Sequence, residues 1–248
     1  MDSAIPKSHP RYESLMTREK IRAAMNKGLV HETGLIAHGR GEAFDYLLGE
    51  KTHSFADEAI HAAAEALLSA DHPVFSLNGN VVALVAHECV KLSQAFPLIL
   101  EVNLFHQSEK RVRLLIDELR NAGAESVLGL EPTKHIPHLD HNRGWCEEKG
   151  IYAADVVFVP LEDGDRCQAL KDMGKYVITI DLNPLSRTAR TADITIVDNI
   201  TRALPRLIWW IQKIKSEKSD KSIVDQWDNS DHLKQVFRFL SKRIYQME

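Results

Sequence analysis

"IDLNPLSRTARTADITIVDN", residues 180–199, reads as the end of one strand, a polar turn and the start of a second strand. Its β-branched, apolar ends suit a buried sheet. Its middle, with Asp181, Asn183, Pro184, Ser186, Arg187, Thr188 and Arg190, is too polar and too punctuated to be core. Either the loop is a turn and nothing more, or it holds something. Outward from it, further short apolar runs occur at "PVFSL", "LILEVNL", "ESVLGL" and "DVVFVPL". Between them, "VVALVAHECVKLSQAF", "SEKRVRLLIDELRNAGA" and "GDRCQALKDMG" carry helical periodicity. Strand and helix alternating at these lengths predict a mostly parallel sheet covered on both faces, a doubly wound, Rossmann-like α/β core over roughly residues 70–200.

The flanks read as helices. "ESLMTREKIRAAMNKGLV" is expected to be a helix ending near Gly28, with Leu15, Ile21 and Met25 on one apolar stripe. "HGRGEAFDYLLGE" is expected to be a short helix with a glycine-rich entry. In "SFADEAIHAAAEALLSA", Ser54 followed by Asp57 resembles a capping box ahead of a strong helix former. "ITRALPRLIWWIQKIK" closes the core as a helix that Pro205 either kinks or enters in its first turn. "SEKSDKSIVDQWDNSD" is a polar connection to an amphipathic C-terminal helix, "HLKQVFRFLSKRIYQ". The expectation is one α/β domain: a helical N-terminal part over about 1–70, the core over about 71–215 and a helical extension over about 216–248.

Composition narrows the class. The 248 residues are 44% hydrophobic and 27% charged, ordinary for a globular chain. Thirty-one Lys and Arg against 35 Asp and Glu give a net charge of -4, which argues against a dedicated nucleic-acid binder. No apolar run approaches a membrane span, and "MDSAIPKSHPRYES" lacks the form of a signal peptide. Cys89, Cys146 and Cys167 show no C-x-x-C spacing and suggest a reduced cytoplasm, with Cys89 and Cys167 packed inside helices.

In an open α/β sheet, ligands bind beyond the carboxyl ends of the strands. The residues expected there are Asn78, Gly79 and Asn80, then Asn103, then Glu162 to Arg166, then the Asp181 loop, then Asp198 and Asn199. Any one could be a local turn, because Asn, Asp and Gly favour turns for their own reasons. Their gathering on one sheet edge points to a polar cleft. In the Asp181 loop, Asp181 suits a ribose, Asn183 a base edge or a second hydroxyl, and Arg187 and Thr188 a phosphate. The alternative is an Asx-turn with solvated arginines.

"GLIAHGRGEAF" nearly imitates a P-loop but has Arg40 for the lysine and Gly41 for the hydroxyl residue, and fails as one. As a glycine-rich helix entry it would still offer free N–H groups and the Arg40 charge to an anion. "HIPHLDHNRGWC" spaces His135, His138 and His141 three apart, yet Pro137 argues against one helical face and the spacing is not that of structural zinc. His141 and Arg143 acting on a substrate anion is the stronger expectation, and no residue is assigned as a metal ligand.

Together, "HPRYESLMTREKI", "GLIAHGRGEAFDYLLGE", "NGNVVALV", "LEVNLF", "ADVVFVPLEDGDR" and "DLNPLSRTARTADITIVDNI" resemble the archaeal phosphopantothenate synthetases, the 4-phosphopantoate–β-alanine ligases of coenzyme A synthesis. The resemblance runs from about residue 5 to about residue 205. It implies a Rossmann-like homodimer that joins 4-phosphopantoate to β-alanine through an acyl-adenylate, releasing AMP and pyrophosphate from ATP, with Mg²⁺. It places ATP contacts on Arg18, Arg40, Asp181, Leu182, Asn183, Arg187, Thr188, Asn199 and Ile200. Arg40 would also stabilise the reacting anions, and Glu101, His38 and His141 are the candidates for the β-alanine amine. Asn78, Asn80, Asn103 and Arg143 are expected on the substrate side. A non-catalytic nucleotide-binding module is the alternative, since it would share the Asp181 loop without needing the N-terminal arginines. A dinucleotide enzyme would need a G-x-G-x-x-G after a strand, and none is present.

Overall fold

The computed structural model describes residues 5–217 and 219–246. Helices α1 (Tyr12–Asn26), α2 (Glu32–Leu48) and α3 (Ser54–Ser69) precede β1 (Pro73–Leu77), α4 (Gly79–Ala95), β2 (Ile99–Val102) and α5 (Glu109–Asn121). A two-residue pair, β3 (Lys134–His135) and β4 (Trp145–Cys146), leads to β5 (Val156–Phe158), α6 (Gly164–Asp172), β6 (Tyr176–Ile180), α7 (Arg187–Thr191) and β7 (Ile194–Ile196). Helices α8 (Ile200–Ser216), α9 (Ser222–Asp225) and α10 (Asn229–Tyr245) follow.

Five strands form one parallel sheet in the order β2-β1-β5-β6-β7. Strand order reverses beside β1, so the sheet is doubly wound and Rossmann-like, with a switch point between β1 and β5. The apolar strand runs exist because helices cover both faces: all of β1, β5 and β7 is buried. Beneath one face, alanines 59, 62, 63, 64 and 66 of α3 are fully or almost fully buried, small enough for α3 to lie close to α8.

The third of the six expected strands, "ESVLGL", shrinks to a single bridge. Leu128 pairs in parallel with Glu101, its N–H donating to Leu100 O at 2.8 Å. The next residue, Gly129, turns to φ +127°, and a Cβ there would collide with Val102 O. Glu147 then caps the departing chain by accepting from the N–H groups of Gly129 and Glu131.

Several helical expectations shift. α2 begins at Glu32, so Gly39, Arg40 and Gly41 lie inside a 17-residue helix and not at its entry. Their N–H groups sit where intrahelical bonds form, which removes the anion-cradling entry and leaves Arg40 as a side chain only. Ser54 and Asp57 make no capping box: Asp57 instead accepts from Arg206 and the Trp210 indole on α8. In α1 the buried positions are Thr17, Ile21 and Ala24; of the expected stripe Ile21 is buried, while Leu15 and Met25 are half-buried. Pro205 falls in the second turn of α8, which runs on through it. The C-terminal helix does form, and Leu233 and Val236 pack it with Leu48, Phe55, Leu182 and Val197. No helix of the described residues is long and apolar enough to cross a membrane.

Candidate functional site

Over the carboxyl edge of the sheet lies a cavity of about 340 Å³. Its floor is the strand ends: Asn78, Gly79 and Asn80 after β1, Leu104 to His106 after β2, Leu161 and Asp163 after β5, Leu182 after β6, and Asp198 to Ile200 after β7. α2 roofs it with His38, Arg40, Gly41 and Glu42, and Arg111 and Arg143 complete the walls. α2 is pinned down by a polar lock. Arg202 at the start of α8 bonds Asp45 of α2 (2.6 Å) and Asp198 (2.6 Å), while Asn199 Nδ2 donates to Asp45 at 2.9 Å. Thr52 donates to the other Asp198 oxygen. A second close approach, Gly34 on Asn80, lets α2 cross the start of α4; a Cβ on Gly34 would overlap the Asn80 side chain.

Of the residues expected at a nucleotide, Arg40, Leu182, Asn199 and Ile200 line the cavity. Asp181 lies just behind Leu182, its oxygens accepting the Asn183 N–H (2.9 Å) and the Ser186 hydroxyl. Burial raises its pKa, while those two bonds and the Arg40 charge pull the other way. Asn183 accepts from the Leu185 N–H, so the loop is built as consecutive Asx-turns. Thr188 is buried and donates to Glu162 O, tying α7 to the loop after β5. Arg187 is exposed and pairs with Asp165. Arg18 does not reach the lining but grips Glu42, which does.

On the other side, the asparagines are structural fasteners as well as cavity wall. Asn78 caps α4 by accepting the Val81 N–H and donates to Pro160 O and Leu161 O across the switch point. Asn80 donates to Gly34 O. Asn103 is buried below the lining and holds Arg143, accepting from its Nε and donating to Trp145 O. Arg143 reaches the cavity, but Glu162 (2.8 Å) and Asp163 (3.0 Å) already offset its charge. Glu162 also pairs with the fully buried Arg166, whose own pKa burial lowers.

The three candidates for an amine separate. Glu101 is buried with its oxygens accepting the Glu147 and Ile151 N–H groups, and burial pushes its pKa up to about 7. It does not line the cavity. His141 packs on Phe105 behind the wall, its Nδ1 buried without a partner. His38 lines the cavity and its Nε2 is buried with no hydrogen-bond partner. Burial lowers the His38 pKa, against the raising effect of Glu42, so the ring is neutral at neutral pH. His135 sits edge-on to Trp145, and no three His, Cys, Asp or Glu side chains of the described residues group as metal ligands.

Sequence reading missed Asp45, Glu42, His31, His106, Arg111 and Arg202. Helical phase held a signal for Arg111, which lies one turn before the buried Leu115, whereas Arg113 is exposed and pairs with Glu109. Nothing local marks Asp45 and Arg202 as partners, 157 residues apart in sequence.

Residues 55–243 match the family described as Phosphopantothenate/pantothenate synthetase. A Thermococcus kodakarensis protein named 4-phosphopantoate--beta-alanine ligase is 54% identical over 97% of this chain and 93% of its own length. A Methanosarcina mazei protein of the same name is 48% identical over 98% of this chain and 96% of its own. One from Methanospirillum hungatei is 54% identical over 82% of this chain and 83% of its own.

Proposed function

The chain belongs to the phosphopantothenate/pantothenate synthetase family, and on that premise we propose that it is a ligase of coenzyme A synthesis that joins 4-phosphopantoate to β-alanine at the expense of ATP. The observation that carries this reading is the cavity at the switch point, where Arg40 reaches in with no acidic side chain of the described residues in a salt bridge to it. A pocket with an unneutralised guanidinium favours anionic ligands, and both ATP and phosphopantoate are anions.

The reaction proceeds in two displacements. A carboxylate oxygen of phosphopantoate attacks the α-phosphorus of ATP, and pyrophosphate leaves. The β-alanine nitrogen then attacks the acyl carbon, AMP leaves, and the ammonium proton must go to a base. His38 is the group placed to take it: in the cavity, neutral, with a free ring nitrogen. Arg40 offsets the charge that gathers as two anions meet. Leu182, Asn199 and Ile200 form the nucleoside end, which Asp181, Asn183 and Thr188 shape from behind, with Arg18 and Arg187 nearby on Glu42 and Asp165. Mg²⁺, when bound with ATP, would offset phosphate charge, and Asp163 is the lining carboxylate with an oxygen left to hold it. Glu42, Asp198 and Asp163 are each engaged by an arginine, but the Asp163 side chain, paired with Arg143 through one oxygen, is 52% exposed. A homodimer and a cytoplasmic setting belong to the same reading, the latter in keeping with three buried free thiols.

The test is product analysis. With ATP, Mg²⁺, 4-phosphopantoate and β-alanine, the protein is expected to yield phosphopantothenate, AMP and pyrophosphate in equal amounts. ADP and phosphate would replace the adenylate route with an acyl phosphate, and no amide product would remove the ligase reading. Sedimentation of the same preparation checks the dimer.

A further inference from the structure

The cavity has three arginines with different electrostatic surroundings. Arg143 is neutralised by two acids, and Arg40 lies toward the Asp181 loop. Arg111, on α5, is half-buried and holds only backbone. Its Nε donates to Gly28 O (3.3 Å), Nη1 to His106 O (2.5 Å) and Nη2 to Leu29 O (3.1 Å). Carbonyl dipoles orient a guanidinium without cancelling its charge. Burial lowers the Arg111 pKa and no acid of the described residues counters it. Three of its five N–H groups are used, so two remain for a ligand.

Its neighbours suit an anion. Gly79, the first residue of α4, lies against it: a Cβ there would overlap Leu29 O and stand 3.4 Å from Arg111 Nη2. The guanidinium therefore abuts the first turn of a 17-residue helix, where the Gly79 and Asn80 N–H groups lack intrahelical partners and that of Val81 is capped by Asn78. His31 lines the same region, stacked on His106 at 3.9 Å. Its Nδ1 accepts the Thr33 N–H, so Nε2 carries a proton and is a further donor.

We propose that Arg111, with the first turn of α4 and His31, is the subsite for the 4-phosphate of phosphopantoate and sets the preference for the phosphorylated acid. The inference rests on the ligase reading above. It orients the acid: phosphate toward the β2 edge, carboxylate toward the nucleotide end over β6 and β7.

The test uses the full chain, with calorimetric titration of 4-phosphopantoate and of ATP, and pantoate as a competitive inhibitor of turnover. Arg111→Met is expected to raise the Kd of 4-phosphopantoate by roughly ten- to hundredfold, the loss of a charged hydrogen-bonding pair. The Kd of ATP and the inhibition constant of pantoate should stay within about twofold, since neither touches this end. An equal loss for pantoate would mean that Arg111 holds the carboxylate, and a parallel loss for ATP that it merely staples the Gly28 and His106 loops. Either result, or no change for 4-phosphopantoate, overturns the proposal. If Arg111→Met does not fold, Arg111→Lys keeps the charge but not the fork, and a loss confined to 4-phosphopantoate is still expected. A wild-type protein that binds 4-phosphopantoate but makes no amide would sink the ligase reading and leave the phosphate subsite standing.

Discussion

Glu101 shows how far a side chain's neighbours decide its chemistry. It closes β2 beside the cavity edge, yet its carboxyl lies under the segment from Glu147 to Tyr152, accepting two N–H groups. Burial outweighs those bonds and pushes its pKa to about 7 from 4.5. Between those values the folded protein keeps a proton that the unfolded chain has lost. The associated stability is therefore complete below pH 4.5 and fades as pH rises through 7, by about 3 kcal/mol at most. Glu101→Gln cannot accept at both oxygens, because its NH₂ faces an N–H, so it should be less stable than wild type by about 1–3 kcal/mol at pH 4.5. The gap should narrow toward pH 8, because only the wild type loses stability on the way. Urea unfolding of both proteins at several pH values reads this, and parallel curves would show that another group titrates. Residue types at the strand ends were legible in the sequence, and they marked the edge of the sheet where the cavity lies. Their contacts were not. Whether Asp181 faces a ribose or its own turn, or whether Arg143 is free or doubly paired, depends on chain segments that no local pattern brings together.

At the scale of elements, strands were the readable part because burial on both faces writes continuous apolar runs. The runs failed only at "ESVLGL", where Gly129 ends the extended path after one bridge. α2 was harder. Gly39 and Gly41 read as the entry to a helix because glycine weakens a helix interior. The helix persists because distant partners hold it: Arg202 and Asn199 on Asp45, Arg11 and Arg18 on Glu42. The C-terminal helix α10 lay outside the resemblance, and the structure gives it a task, to cover β7 and the back of Leu182. Its His232 is buried beside Trp227 with Nε2 unpartnered, and burial lowers its pKa to about 4. Here the unfolded chain binds the proton first. The stability is complete above pH 6.5 and is lost as pH falls through 4, again by about 3 kcal/mol at most. Hydrogen exchange of the α10 amides should accelerate between pH 6.5 and 4 beyond the intrinsic trend, and His232→Gln should flatten that excess. Equal acceleration in both proteins would place the acid-sensitive group elsewhere.

Across the whole molecule, the sheet sets out the cavity as a line. Arg111 stands at the β2 end by the start of α4, and Arg40 faces the loop after β6; a Cβ on neighbouring Gly41 would stand 3.5 Å from Leu182. Three strand spacings separate β2 from β6 in the order β2-β1-β5-β6, roughly 14 Å. On the proposed reading, that span would keep two anions apart while their reacting ends meet between them, near Asn78 and His38 of the lining. Two guanidiniums at opposite ends of the cavity, neither in a salt bridge among the described residues, should act on separate ligands. Arg40→Met is expected to weaken ATP binding by roughly tenfold, a charged contact's worth, and to leave 4-phosphopantoate affinity within about twofold. Arg40→Lys restores charge without the fork that spans two phosphate oxygens, so turnover should stay depressed even where ATP affinity recovers. Combined with Arg111→Met, the effects on kcat/KM should multiply, as independent sites do to within a few tenths of a kcal/mol. A strongly non-multiplicative double variant would mean that both arginines grip one ligand, and the line from phosphate subsite to nucleotide end would have to be redrawn as a single shared anion site.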